Sequence, residues 1–286
     1  MLCNVNSIQL NRDRLEWQCV FLGNSDSLGV PRVYCNCPVC EEARQVGHNR
    51  RYRSSVLLFQ GDRQLLVDCG PDWPLQMELT GIRFIADILI THAHQDHIAG
   101  LPAYADVCRW LERRGRVIAP QEVIDTIKQM YGWLDRHIDF IPMEQEWIWE
   151  AWRVRPIRVN HGKNGYSYAY RFERDQPSES DSVVNGRARK SIEAWAYASD
   201  AIGLGEYEKS QLQQLNLLVI GTNFYHEPFA YETRSVYDMV EAIELLQEIR
   251  PTHTIFTHMS HGVDVREPYP LPKEIRLAHT GLTITL

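Results

Sequence analysis

Four potential metal ligands crowd into six residues, His92-Ala93-His94-Gln95-Asp96-His97, directly behind the apolar run 86–91 (ADILIT). Such a run predicts a strand buried on both faces. A charged tetrad at its end has no packing reason to exist, which argues for a metal site over a histidine-rich surface loop. Imidazole and carboxylate donors suit Zn²⁺, Mn²⁺ or Fe²⁺. In a loop leaving a strand, His92 and His94 can face one side. Asp96 and His97, starting the next turn, can face a second locus. One short segment can therefore feed two metals.

The flanking pattern sets the fold class. Apolar runs predict strands over 17–22, 86–91, 194–199, 215–221 and 254–257, with a hairpin of 56–60 and 64–68 around Gly61-Asp62. Residues 147–159 read as one or two strands, and the strict alternation of 166–172 as another. Helical spacing covers 104–113, 121–134 and 232–249, the last stopping before Pro251. The polar stretch 173–191 reads as a surface loop. Strands and helices alternate with no repeat and no linker, so the expectation is one α/β domain over 1–286. Trp110, Trp133 and Trp152 read as core. Arg50, Arg51 and Arg53 read as a solvated face, a grip on a second phosphate being the other use.

Charge and cysteine usage narrow the class. The net charge of −7 argues against a broad basic face on nucleic acid. No apolar run approaches 18 residues and no apolar leader is readable, so no membrane span and a cytoplasmic location are expected. Of seven cysteines, three lie within six residues, Cys35, Cys37 and Cys40. Three thiolates this close favour a tetrahedral structural zinc, with Zn–S about 2.3 Å, and His261 is the fourth ligand this reading assigns. The knuckle spans about 29–45. Zinc there ties the N-terminal loop to the turn holding His258. A closed four-ligand site leaves no position for substrate.

The tetrad resembles the H-x-H-x-D-H motif of the metallo-β-lactamase superfamily, and the resemblance runs over most of the chain. It implies an αβ/βα four-layer sandwich with the site at the shared edge of two sheets. Asp68, ending QLLVD, matches the carboxylate that orients a ligand from behind. His161, Asp200 and His258 match the later metal ligands. Taken singly, His161 reads equally as a surface-loop histidine, Asp200 as a helix N-cap and His258 as a turn residue; the tetrad joins them. The implied sets are His92, His94, His161 and Asp200 for one metal, and Asp96, His97, Asp200 and His258 for the other.

G-V-P-x₃-C-x-C-x₂-C early and T-H-x-S-H late resemble the cyclic phosphodiesterases encoded with carbon–phosphorus lyase. That likeness implies two divalent cations, Mn or Zn, beside the structural zinc. A hydroxide bridging the pair opens a small cyclic phosphate, ribose 1,2-cyclic or nucleoside 2′,3′-cyclic. Asp96 belongs to the catalytic centre, and His226, in NFYHEP, is the implied general acid, although AYETRSVY behind it looks like an insertion. The partners implied are a small phosphate ester and a second copy of the chain, with no membrane and no extended nucleic acid. Three other readings stand beside this one. The cysteine segment also resembles protein B of pyrroloquinoline quinone synthesis. A tRNA 3′-processing nuclease needs a long basic arm that this sequence lacks. A thioester hydrolase does not usually carry the cysteine knuckle.

Overall fold

The computed structural model describes residues 7–175, 183–184, 187–188 and 192–286. It divides into two compact units. The first holds the described residues up to Met143 with His279–Ile284, the second Glu144–Ala278 with Thr285–Leu286.

In the first unit the strands are β1 (Gln18–Gly23), β2 (Ser55–Gln60), β3 (Arg63–Val67), β4 (Asp87–Leu89), β5 (Gly115–Ala119) and β6 (Ile138–Pro142). Its helices are α1 (Pro38–Gln45), α2 (Trp73–Thr80), α3 (Gln95–Ile98), α4 (Leu101–Trp110) and α5 (Gln121–Met130). The hairpin forms as expected, with Val56 opposite Val67 and Gln60 opposite Arg63. From β3 to β6 the pairing is parallel, with helices in the crossovers. All three residues of β4 are buried: Ile88 and Leu89 are apolar, and Asp87 is paired with Arg116 at 2.6 Å. α4 starts at Leu101, three residues before the periodicity suggests, because Pro102 lies in its first turn and presets a helical φ.

In the second unit the strands are β7 (Trp147–Trp149), β8 (Trp152–Asn160), β9 (Tyr166–Arg174), the ribbon β10 (Val183–Val184) and β11 (Arg187–Ala188), then β12 (Ala194–Ala198), β13 (Leu217–Gly221), β14 (His253–Thr257) and β15 (Ile275–Leu277). Its helices are α6 (Glu206–Gln211) and α7 (Met239–Ile249). The main sheet runs β15-β14-β13-β12-β9-β8-β7, and β16 (Thr283–Thr285) edges the other, β16-β1-β2-β3-β4-β5-β6. Of the expected loop 173–191, the start belongs to β9 and much of the rest lies outside the described residues.

Two expectations need correction. α7 begins seven residues later than 232. Asp238 caps it, accepting from the Glu241 N–H at 2.8 Å, while the Glu241 carboxylate accepts from the Asp238 N–H at 3.1 Å. This capping box fixes the start at Met239. The tryptophans divide. Trp152 is buried against Trp195, which stacks on Phe172 at 4.1 Å. Trp110 is 77% exposed at the last turn of α4, and Trp133 is 39% exposed. Among the described residues, no helix is long and apolar enough to cross a membrane.

Candidate metal centre

The first unit gathers the tetrad around one buried carboxylate. Asp68 follows β3, and its N–H donates to the Leu89 carbonyl at 2.8 Å, so the β3–β4 pairing delivers it beside the end of β4. Its Oδ1 accepts from the Thr91 N–H at 2.9 Å, and the Thr91 hydroxyl lies 3.0 Å from both carboxylate oxygens. Its Oδ2 lies 2.7 Å from Nδ1 of His97. Burial pushes the Asp68 carboxyl up from its ordinary range, while His97 and Thr91 pull it down. The Cys69 N–H donates to the His97 carbonyl at 2.7 Å, and the Gly100 N–H to the Cys69 carbonyl at 2.8 Å. The tetrad segment is thereby clamped to 68–70. Two glycines permit the approach: a β-carbon on Gly70 would collide with the Asp96 carbonyl, and one on Gly100 with the Gly70 carbonyl.

This clamp sets ring orientation. With Nδ1 of His97 donating to Asp68, Nε2 carries the lone pair, and it lies 3.1 Å from Oδ2 of Asp96. Nδ1 of His92 lies 3.0 Å from the Thr91 hydroxyl, and its Nε2 lies 2.8 Å from Nδ1 of His94.

The second unit gathers His161, Asp200 and His258. Asp200 and His258 follow β12 and β14, which flank β13 in parallel pairing. Both therefore stand at the carboxyl ends of parallel strands, where open α/β sheets place their ligands. A β-carbon on Gly221, between them, would collide with the Ser199 carbonyl and lie 3.3 Å from Cβ of His258. Nε2 of His258 lies 3.1 Å from Oδ1 of Asp200, and Nε2 of His161 lies 3.7 Å from the same oxygen. Nδ1 of His161 lies 2.7 Å from the Ser235 carbonyl. A carbonyl only accepts, so Nδ1 carries the proton and Nε2 the lone pair.

In both units, lone-pair nitrogens face carboxylate oxygens. Two electron-rich atoms at such distances need a proton or a cation between them. Imidazole with carboxylate is a donor set for Zn, Mn or Fe, and the residues fit the group that the tetrad implies. Thr91, Ser235 and Asp238 are partners that sequence reasoning missed. Thr91 carried a faint signal, as a polar residue ending an apolar strand.

The thiols of Cys35, Cys37 and Cys40 lie within 4.8 Å of one another. Cys37 is the N-cap of α1, and Pro38 opens the helix. The Cys37 N–H donates to Sγ of Cys35 at 3.5 Å and the Arg32 N–H to Sγ of Cys40 at 3.4 Å. The Cys37 backbone N–H is the main reason that the Cys35 thiol is held below its ordinary range, whereas burial pushes the Cys40 thiol up to about 11. His261 belongs to the second unit, in the turn after β14. His226 lies in the loop after β13, 76% exposed, with Nδ1 3.4 Å from Oδ2 of Asp238. The arginine stretch is no solvated face: Arg51 is buried, and Arg53 pairs with Asp72 at 3.2 Å.

A family model described as the Beta-lactamase superfamily domain matches residues 63–259. An octanoyltransferase of Porphyromonas gingivalis is 26% identical over 282 residues, covering 93% of this chain and 51% of that protein. The chain thus spans about half the length of the curated relatives that it matches first. A solved structure, a new diphosphatase from the PhnP family, is 25% identical with a TM-score of 0.78, covering 94% of this chain and 98% of its own. Zn²⁺-bound PqqB from Methylobacterium extorquens is 16% identical with a TM-score of 0.74, covering 94% of this chain and 100% of its own, and shares the fold.

Proposed function

The chain belongs to the β-lactamase superfamily, and on that premise we propose that it is a dinuclear phosphodiesterase opening a small cyclic phosphate. Its fold class, a metallo-β-lactamase αβ/βα sandwich, and its character as a metal-dependent hydrolase come with the family. The number of cations, their identity and the substrate are this proposal's own. The ligand sets proposed are His92, His94, His161 and Asp200 for one cation, and Asp96, His97, Asp200 and His258 for the other. Cys35, Cys37, Cys40 and His261 are proposed to hold a structural zinc.

The observation that carries the reading is the fixed tautomers: Asp68 and the Ser235 carbonyl each accept the Nδ1–H hydrogen bond, which leaves the Nε2 lone pairs of His97 and His161 facing Asp96 and Asp200. Bound there, divalent cations would supply charge for the phosphate oxygens and a water acidified toward neutral pH. The chain's residues hold that arrangement rigid. His226, exposed and free of the clamp, is proposed to protonate the departing sugar oxygen.

The diphosphatase likeness over nearly both chains favours phosphoryl chemistry. The net charge of −7 disfavours a long nucleic-acid substrate. The octanoyltransferase match covers half of that protein, so acyl transfer is not carried to this chain. The quinone-synthesis protein shares the fold at low identity, and a redox-active iron would favour that reading. A homodimer completes the proposal.

The test is turnover of the Mn-loaded protein on 2′,3′-cyclic AMP, beside bis-p-nitrophenyl phosphate and a lactoyl thioester, with metals counted per chain. Opening of the cyclic phosphate with about three metals bound is expected from two sites of this class and one closed zinc site. Asp96→Ala and Asp200→Ala should abolish turnover while the far-UV spectrum keeps its wild-type shape. Absence of phosphodiesterase activity with one redox-active iron bound would overturn the proposal.

A further inference from the structure

The loop joining β13 to α7 is pinned at both ends. The Asn223 N–H donates to the Tyr237 carbonyl at 3.0 Å, and the Ser260 N–H and hydroxyl both donate to the Asn223 carbonyl. Near its far end, the Lys163 N–H donates to the Arg234 carbonyl at 3.2 Å, next to the Ser235 carbonyl that holds His161. The loop carrying His226 is thus fastened to the segments carrying His161 and His258.

Asp238 sits fully buried at the base of this loop. Its carboxylate has only a few neighbours with charge. Arg234 approaches Oδ2 at 3.6 Å and is itself bound to Glu241 at 2.8 Å. Glu227 lies next to His226 in the chain, and its N–H donates to Oδ2 at 2.9 Å. The Glu241 N–H donates to Oδ1 at 2.8 Å. Two backbone donors and a guanidinium hold the Asp238 side chain in place. His226 faces it with Nδ1 at 3.4 Å, an ion-pair separation, and the ring is otherwise exposed.

We propose that Asp238 is the positioning residue for His226: the juxtaposition of Oδ2 and Nδ1 keeps the Nδ1 proton toward the protein and turns Nε2 outward to the substrate. This rests on His226 as general acid. In the step, a water oxygen bonds to phosphorus and the bond from phosphorus to the sugar oxygen breaks. The Nε2 proton goes to that oxygen, and the proton released by the water restores the imidazolium. A carboxylate behind the opposite nitrogen fixes the ring orientation and the direction of transfer, as in other carboxylate–imidazole pairs.

The test compares Asp238→Asn, Asp238→Ser and His226→Ala on two substrates. Serine keeps a helix cap while being too short to reach His226, which guards against a variant that merely fails to cap α7. Ring opening of 2′,3′-cyclic AMP expels an alkoxide that needs a proton, whereas bis-p-nitrophenyl phosphate expels a phenolate that does not. His226→Ala should lower kcat on cyclic AMP about a hundredfold or more, with a much smaller loss on the nitrophenyl ester. Both Asp238 variants should show the same skew at about tenfold or more, carried by kcat and not KM. Imidazole ¹⁵N spectra should show the Nδ1–H form of neutral His226 in the wild type and its loss in both variants. If His226→Ala is skewed and the Asp238 variants match wild type in kinetics and ring signature, the inference is overturned and the function stands. If His226→Ala itself shows no skew, the general-acid reading fails. The ring signature still decides whether Asp238 holds the ring if cyclic AMP is no substrate.

Discussion

Asp68 and His258 both hold left-handed backbones, with φ of 65° and 58°. A residue with a β-carbon meets a cost there of about 1–2 kcal/mol. In each case the preceding residue, Val67 or Thr257, ends a strand. The strain persists because the carboxylate of Asp68 is held by Thr91 and His97. Asp68→Asn keeps the shape and removes the charge. An amide can still accept from Thr91, but it stabilises an imidazole N–H less. We expect metal affinity at the tetrad to fall about 10–100-fold, with a small change in melting temperature. Calorimetric titration of the apoprotein with Mn²⁺ measures this. Unchanged affinity would mean that Asp68 serves packing alone.

At the scale of elements, α1 and α7 show how local chemistry decides boundaries. α1 opens inside the cysteine cluster, where Pro38 presets the first turn and Cys37 takes the cap position. If the three thiols hold the proposed zinc, the helix depends on it. Cys37→Ser should therefore lower the melting temperature and zinc content clearly, while turnover per folded molecule changes little. Equal stability and equal zinc would remove the structural zinc. The start of α7 was legible only in hindsight: D-x-x-E at 238–241 is a capping signal, but apolar periodicity extends upstream of it. Tyr237, just before the cap, accepts from the Leu204 N–H at 2.7 Å, and burial pushes its phenol up to about 12. The unfolded phenol ionises near 10, so the folded state binds the proton more tightly. Its contribution is whole below about pH 10 and is lost as pH rises toward 12, on the order of 2 kcal/mol. Denaturant unfolding of Tyr237→Phe should show a flatter alkaline limb than wild type. Parallel limbs would assign the fall to other groups.

For the whole molecule, what the sequence disclosed follows from what each group does. Strands β1 to β4 and the candidate tetrad were readable because apolar runs that stop at a polar cluster leave no packing explanation, whereas His161, Asp200 and His258 stood out only once the tetrad joined them. The Ser235 carbonyl was not, since every residue has one and only the fold brings it to His161. The orientation of Asp238 toward His226 likewise depends on a loop that no periodicity describes. The same buried groups make stability a readout of the proposed cations. Asp68, Asp96, His97, His161, Asp200 and His258 are all buried. Without cations, the facing lone pairs must be neutralised by protons or water, and buried carboxylates are costly to leave uncompensated. Cations that bind only the folded chain add stability as RT ln(1 + [L]/Kd), about 2.7 kcal/mol at one hundred times Kd. Chelation should therefore lower the melting temperature in two steps. Mild EDTA should remove the cations of the His/Asp sites, abolish turnover and be reversed by Mn²⁺. The thiolate-bound zinc should survive it and leave only with a thiol-directed mercurial, with a second fall in stability. Melting curves and metal counts after each treatment distinguish the two. A single loss of all metal under mild EDTA would refute the closed zinc site, and a melting temperature indifferent to Mn²⁺ would refute the cation-holding role of the buried histidines and aspartates.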